Sequence, residues 1–164
     1  MTQKSKPSSE ADPLMAQADA LVPAAKTAAT TALPPLETKF PFLGRLINTP
    51  EDRRWWDILV TIACVYIAAT RLRNLDLGEK RETALMTRVT ERMEELNPNA
   101  RAAFDDCKDF FDETFEALTK AGHEARFIAS DSIGLWIASN LLDRGPESQE
   151  ELNFVRMIGA TITH

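Results

Sequence analysis

The sequence predicts an all-α fold: a single bundle of about five helices around a central apolar helix at about residues 50–73, with a flexible N-terminal tail. Three observations carry this. Residues 55–70, WWDILVTIACVYIAAT, are apolar apart from Asp57, Thr61 and Thr70, and a helix that is apolar all round must be surrounded by protein or lipid. Downstream, apolar residues recur at the three- and four-residue spacing of one helical face. Helix start and stop signals fall between these stretches, and no segment alternates as a strand does.

Residues 1–39 are rich in Ala, Ser, Thr and Pro and poor in large apolar side chains. Such a segment buries too little surface to offset the entropy of ordering it, so a flexible tail is expected over 1–39, in which the alanines of 13–32, broken by Pro23, suit a short helix on meeting a partner. The domain then spans 40–164. It opens with an arm, 40–48, whose Phe40 and Phe42 either pack across the bundle or serve as a docking peptide.

Thr49 caps the first firm helix, Pro50 takes its first position, and Glu51 and Asp52 complement its positive end. It is expected to run to about Arg73. Asp76, with Glu79 three residues on, signals the next start, and Leu85, Met86, Val89, Met93 and Leu96 form its apolar face. Asn97-Pro98 stops that helix and opens another, Pro98 to Ala121, with the stripe Phe104, Cys107, Phe111, Phe115 and Leu118 and a C-terminal Gly122. A fourth segment, Glu124 to Asp143, contains Ser130-Asp131-Ser132, side chains suited to an N-cap and hence to a break. Gly145-Pro146 ends it. Ser148 and Glu151 make a capping box for the last helix, with Leu152, Val155, Ile158 and Ile162 on one face. Short connections favour antiparallel neighbours.

Charge narrows the function. The chain carries a net charge of −6, and because residues 1–44 hold four acids and four lysines, all of it falls on 45–164. An acidic domain repels nucleic-acid phosphates, so no nucleic-acid partner is expected. Asp105, Asp109, Asp112 and Glu116 line one helical face, widened by Asp106 and Glu113, and suit a partner with a basic surface. Trp55 and Trp56 head the apolar helix and join Phe40 and Phe42 as candidate partner-binding residues.

Catalytic signals are missing. The sequence has no nucleophile elbow, P-loop or dinucleotide fingerprint. It has no Glu-x-x-His pairs for a di-iron bundle and no zinc-ligand spacing among its two cysteines and two histidines. Neither catalytic residues, nor a metal, nor a cofactor is expected. Cys64 and Cys107 read as small buried hydrophobes, and Tyr66 as a buried hydrogen-bond donor.

The expected function is therefore a non-enzymatic protein-interaction module, an adaptor or regulator, with self-association as a second route to covering the apolar helix. The first alternative is a membrane-associated protein with residues 55–70 facing lipid. Against it, the sixteen residues 55–70 span about 24 Å as a helix, short of the ~30 Å hydrocarbon core, and Asp57 shortens the run further. The second alternative is a small-ligand-binding or enzymatic bundle with a pocket near Trp55, Trp56, Tyr66 or Trp136. With no apolar leader after the N-terminal lysines, cytoplasmic residence is expected, or else the inner side of a membrane.

Overall fold

The computed structural model describes residues 12–164, which form seven helices and no strand: α1 Pro13–Lys39, α2 Phe42–Leu46, α3 Pro50–Arg73, α4 Glu79–Leu96, α5 Ala100–Lys120, α6 Ala125–Leu142 and α7 Gln149–Thr163. The all-helical class is as expected, with seven helices in place of about five. The two additions are α1 and α2, both N-terminal to the capped start at Thr49. Residues 1–11, the first part of the expected tail, lie outside the described residues.

The largest correction concerns 13–39. In place of a flexible tail there is a 27-residue helix that buries Ala18, Val22, Ala25, Ala29, Leu33 and Leu36. Alanine is the best helix former and lets a neighbouring helix approach closely, so a face of Ala with a few Val and Leu packs well once an apolar partner exists. Asp12 caps the start, its Oδ1 accepting from the Leu14 N–H at 3.0 Å. Pro23, Pro34 and Pro35 lie within α1, and because proline has no N–H, the carbonyls four residues before each lose their helical donor. Close to that weak stretch, the buried Trp56 Nε1–H of α3 donates to the Ala29 carbonyl at 2.8 Å. The Thr30 hydroxyl lies 3.1 Å from Asp57 Oδ1 on the same seam. On its other side α1 is held to α4, where Arg81 makes a two-pronged contact with Asp12 at 2.7 and 3.0 Å, and Arg88 and Arg92 both reach Asp19.

The arm packs across the bundle, the first of its two expected readings; the correction concerns Phe40 and Phe42 as partner-binding residues. Phe40 and Phe42 are buried, and with Phe154 of α7 they form an edge-to-face trio whose ring centres lie 5.5 to 6.3 Å apart. Such pairs contribute beyond the area they bury. These two rings are core, so neither is available to a partner.

α3 packs against α1, α4, α5, α6 and α7. Its capping box is complete: Thr49 Oγ1 accepts from the Asp52 N–H and Asp52 Oδ2 from the Thr49 N–H, both at 3.1 Å. By length and composition α3 can cross a membrane, yet Leu59, Val60, Ile62, Ala63 and Val65 are covered here by other helices.

Two starts differ from expectation. Asp76 does not cap α4; it adopts a positive φ of 51° in the turn, and the helix begins after Gly78. α5 starts at Ala100, because Asn97 Oδ1 accepts from the Asn99 N–H at 2.8 Å and holds the Asn97–Asn99 segment in a local turn. At its far end Gly122, at φ 79°, closes α5, with the His123 N–H donating to the Leu118 carbonyl at 3.1 Å. α6 is unbroken. Ser130 and Ser132 cap nothing; their hydroxyls donate back to the Phe127 and Ile128 carbonyls within the helix.

α6 and α7 pack tightly through glycine. A methyl group at Gly134 would overlap the Val155 carbonyl, and one at Gly159 would overlap the Ser130 carbonyl. Gly134→Ala is therefore expected to destabilise the fold by about 1–3 kcal/mol or more, the usual range for overpacking. An unchanged thermal midpoint would show that the two helices can separate without cost.

The connection before α7 is tied by Arg144, whose guanidinium grips both carboxylate oxygens of Glu151 at 2.8 and 3.0 Å. This contact, aided by the Glu147 backbone N–H, pulls the Glu151 carboxyl from 4.5 down to about 2. A depressed carboxyl stabilises the folded state above its unfolded pKa and loses that effect as pH falls through the folded value. The thermal midpoint of the wild type should thus drop more steeply between about pH 4.5 and 2 than that of Glu151→Gln; parallel curves would remove this ion pair from the account.

Candidate functional site

α5 is strongly two-faced, and each residue turns about 100° from the last. Cys107 is buried, while Phe104 and Phe111 pack on Tyr66 of α3 with ring centres 5.9 and 5.0 Å away. Burial, followed by the nearby Asp112 charge, pushes the Tyr66 phenol up to about 12. On the far side of the helix Asp105, Asp109, Asp112 and Glu116 are all exposed. Two of them have cationic neighbours on the same helix, Asp112 with Lys108 at 3.7 Å and Glu116 with Lys120 at 2.6 Å. Among the described residues no cation lies within ion-pair distance of Asp105 or Asp109.

The tryptophan pair splits. Trp56 is fully buried, whereas Trp55, a hundred degrees further round α3, is 39% exposed. At this end of α3 the neighbouring helices cover one side of the helix, and Trp56 is the residue turned to it. Trp55 stands between two hollows that also share Ile58 and Asn97. The larger, about 570 Å3, is bounded by Trp55 and Ile58 of α3, Ala103 and Asp106 of α5, and Trp136 and Asn140 of α6. The smaller, about 440 Å3, is bounded on its outer side by Lys26, Glu51 and Arg54. Trp136 Nε1–H donates to Asp106 Oδ2 at 2.9 Å, which orients that carboxylate at the hollow's edge. Asp109 follows Asp106 by one turn.

The structure thus brings Trp55 and Asp106 to one hollow, which Asp105, Asp109, Asp112 and Glu116 do not line, and leaves Trp56, Phe40 and Phe42 in the core. Trp136, expected beside a pocket, does line the larger hollow with Trp55. The lining residues missing from the sequence reading are Asn97 and Asn140, supplied by the α4–α5 turn and by α6, and nothing in their local sequence marks them.

Little here suits covalent or metal chemistry. Burial pushes the thiols of Cys64 and Cys107 up, away from the reactive thiolate form. Among the described residues, no group of three or more His, Cys, Asp or Glu is placed to hold a metal ion. Comparison with family models, curated proteins and solved structures finds no match to this chain.

Because Trp56 and Trp136 are at most 1% exposed, acrylamide is expected to quench Trp55 selectively. Trp55→Phe should abolish most of the quenchable emission, and quenching that persists in that variant would show that the hollow opens deeper than this structure.

Proposed function

We propose that this chain is a non-enzymatic helical interaction module that docks a protein with a basic surface at Trp55 and the adjoining acidic face of α5. The observation that carries the reading is Trp55, a large aromatic 39% exposed at the rim of a hollow edged by Asp106. Binding energy at protein interfaces concentrates in such residues, Trp and Arg above all. An arginine or lysine of the partner stacks on the indole face, and its charge is met by Asp106 at the rim of the hollow, while Asp105 and Asp109 further round α5 add to the field that attracts it. The net charge of −6 raises the encounter rate with a cationic partner.

The experiment places a photoreactive amino acid at position 55 of the full-length chain, identifies the crosslinked protein, and measures its affinity for purified variants. Trp55→Ala is expected to weaken binding roughly tenfold or more, the effect of removing an interface anchor. The triple change Asp105→Asn, Asp109→Asn, Asp112→Asn should slow association and flatten its salt dependence, because charge steering is screened as the Debye length shrinks from ~10 Å at 0.1 M to ~3 Å at 1 M. Unchanged affinity in both variants, with folding intact, would rule this face out.

A further inference from the structure

A separate apolar groove of about 400 Å3 runs between the N-terminal half of α1, the C-terminal half of α3 and α4. It shares no residue with the Trp55 hollow. Leu14, Leu21, Leu72, Leu85 and Val89 form its walls, and it stays open because Ala18 of α1 and Ala68 of α3 are too small to fill it. Protein interiors otherwise pack to crystal-like density with few voids larger than a water molecule. An apolar hollow holds water poorly, since an ordered water needs two to four polar partners. A volume of about 400 Å3 falls within the ~300–1,000 Å3 of small-molecule sites.

Only Gln17, Cys64 and Arg71 interrupt the apolar lining, and Arg71 is its one charged residue. Among the described residues, no carboxylate lies within ion-pair distance of Arg71; its guanidinium donates to the Thr163 carbonyl at the end of α7. A guanidinium has five donors in a flat fork that matches a carboxylate, so most of that capacity is free. Leu75, 56% exposed, extends the apolar lining beside it. From Cys64 to Leu72 the lining follows about 12 Å of helix, length enough for an aliphatic chain laid along it.

We propose that this groove binds a single aliphatic chain with an anionic head group, of the free fatty acid class. The chain lies over Ala68 and Ala18 toward Cys64, and the head group pairs with Arg71. Charge complementarity selects the anion, and the apolar lining selects the aliphatic chain. The occupant is a free amphiphile, not a bilayer.

The test uses the full-length chain, a dansylated fatty acid as probe, and dodecanoate below its micelle concentration as competitor. Dodecanoate should displace the probe and slow maleimide modification of Cys64, which lines the groove while Cys107 is fully buried. Dodecanol, with the same chain and no charge, should compete roughly tenfold less well, the effect of losing a charged hydrogen bond. Arg71→Gln should erase the difference between acid and alcohol, and Ala68→Phe should fill the groove and abolish probe binding with unchanged helicity. If Ala68→Phe fails to fold, protection of Cys64 in the wild-type chain decides alone. Three results would overturn the proposal: no displacement or protection by dodecanoate, equal competition by acid and alcohol, or protection only by phosphatidylglycerol vesicles. The last would assign the groove to a membrane surface.

Discussion

A helix apolar on nearly every side has to be covered, and most of this chain is arranged to cover α3. Five other helices pack against it. The contact that locks the arrangement is the buried bond from Trp56 Nε1–H to the Ala29 carbonyl. A buried indole N–H without a partner costs about 1–3 kcal/mol, so Trp56 cannot enter the core unless α1 lies in register beside it. The same bond reaches α1 close to where its prolines remove backbone donors. The bond thus anchors α1 beside its proline-containing stretch and satisfies the one donor that Trp56 buries.

That mutual dependence explains why α1 was not legible in the sequence. Alone, a stretch with three internal prolines, many small residues and few large apolar ones lacks the burial to offset its ordering entropy. As an isolated segment it would stay a tail. It is a helix here because the compensating surface belongs to α3, and because Asp12 and Asp19 find Arg81, Arg88 and Arg92 on α4. Composition describes what a segment brings and nothing of what it meets. Phe40 and Phe42 are a related case: their sequence fits packing or docking equally, and Phe154, more than a hundred residues away, takes them into the core.

The candidate site was half legible. The acidic row of α5 follows from spacing alone, since residues three and four apart share a helical face, and exposure of Asp105, Asp109, Asp112 and Glu116 agrees with that geometry. Which member of the Trp55-Trp56 pair faces outward is a matter of rotation about the α3 axis, which only the neighbouring helices set. The coupling of Trp136 to Asp106 joins two helices across 30 residues and has no local signature. Likewise the apolar groove exists only because alanines from α1 and α3 meet. In sequence, Ala18 and Ala68 are unremarkable helix formers.

By itself, the sequence determined the all-α class and the ends of those helices whose signals are chemical and short-ranged. The Thr49–Asp52 and Ser148–Glu151 capping boxes each close within four residues, so chain context cannot change them. Gly122 at the end of α5 is of the same kind. Tertiary structure decided everything that depends on a partner surface: that α1 is a helix, that the Phe arm is core, that Trp55 and not Trp56 meets solvent, and where hollows remain. The physical reason is one of range. A cap is satisfied by its own backbone, whereas burial is satisfied by whichever distant segment supplies the complementary face.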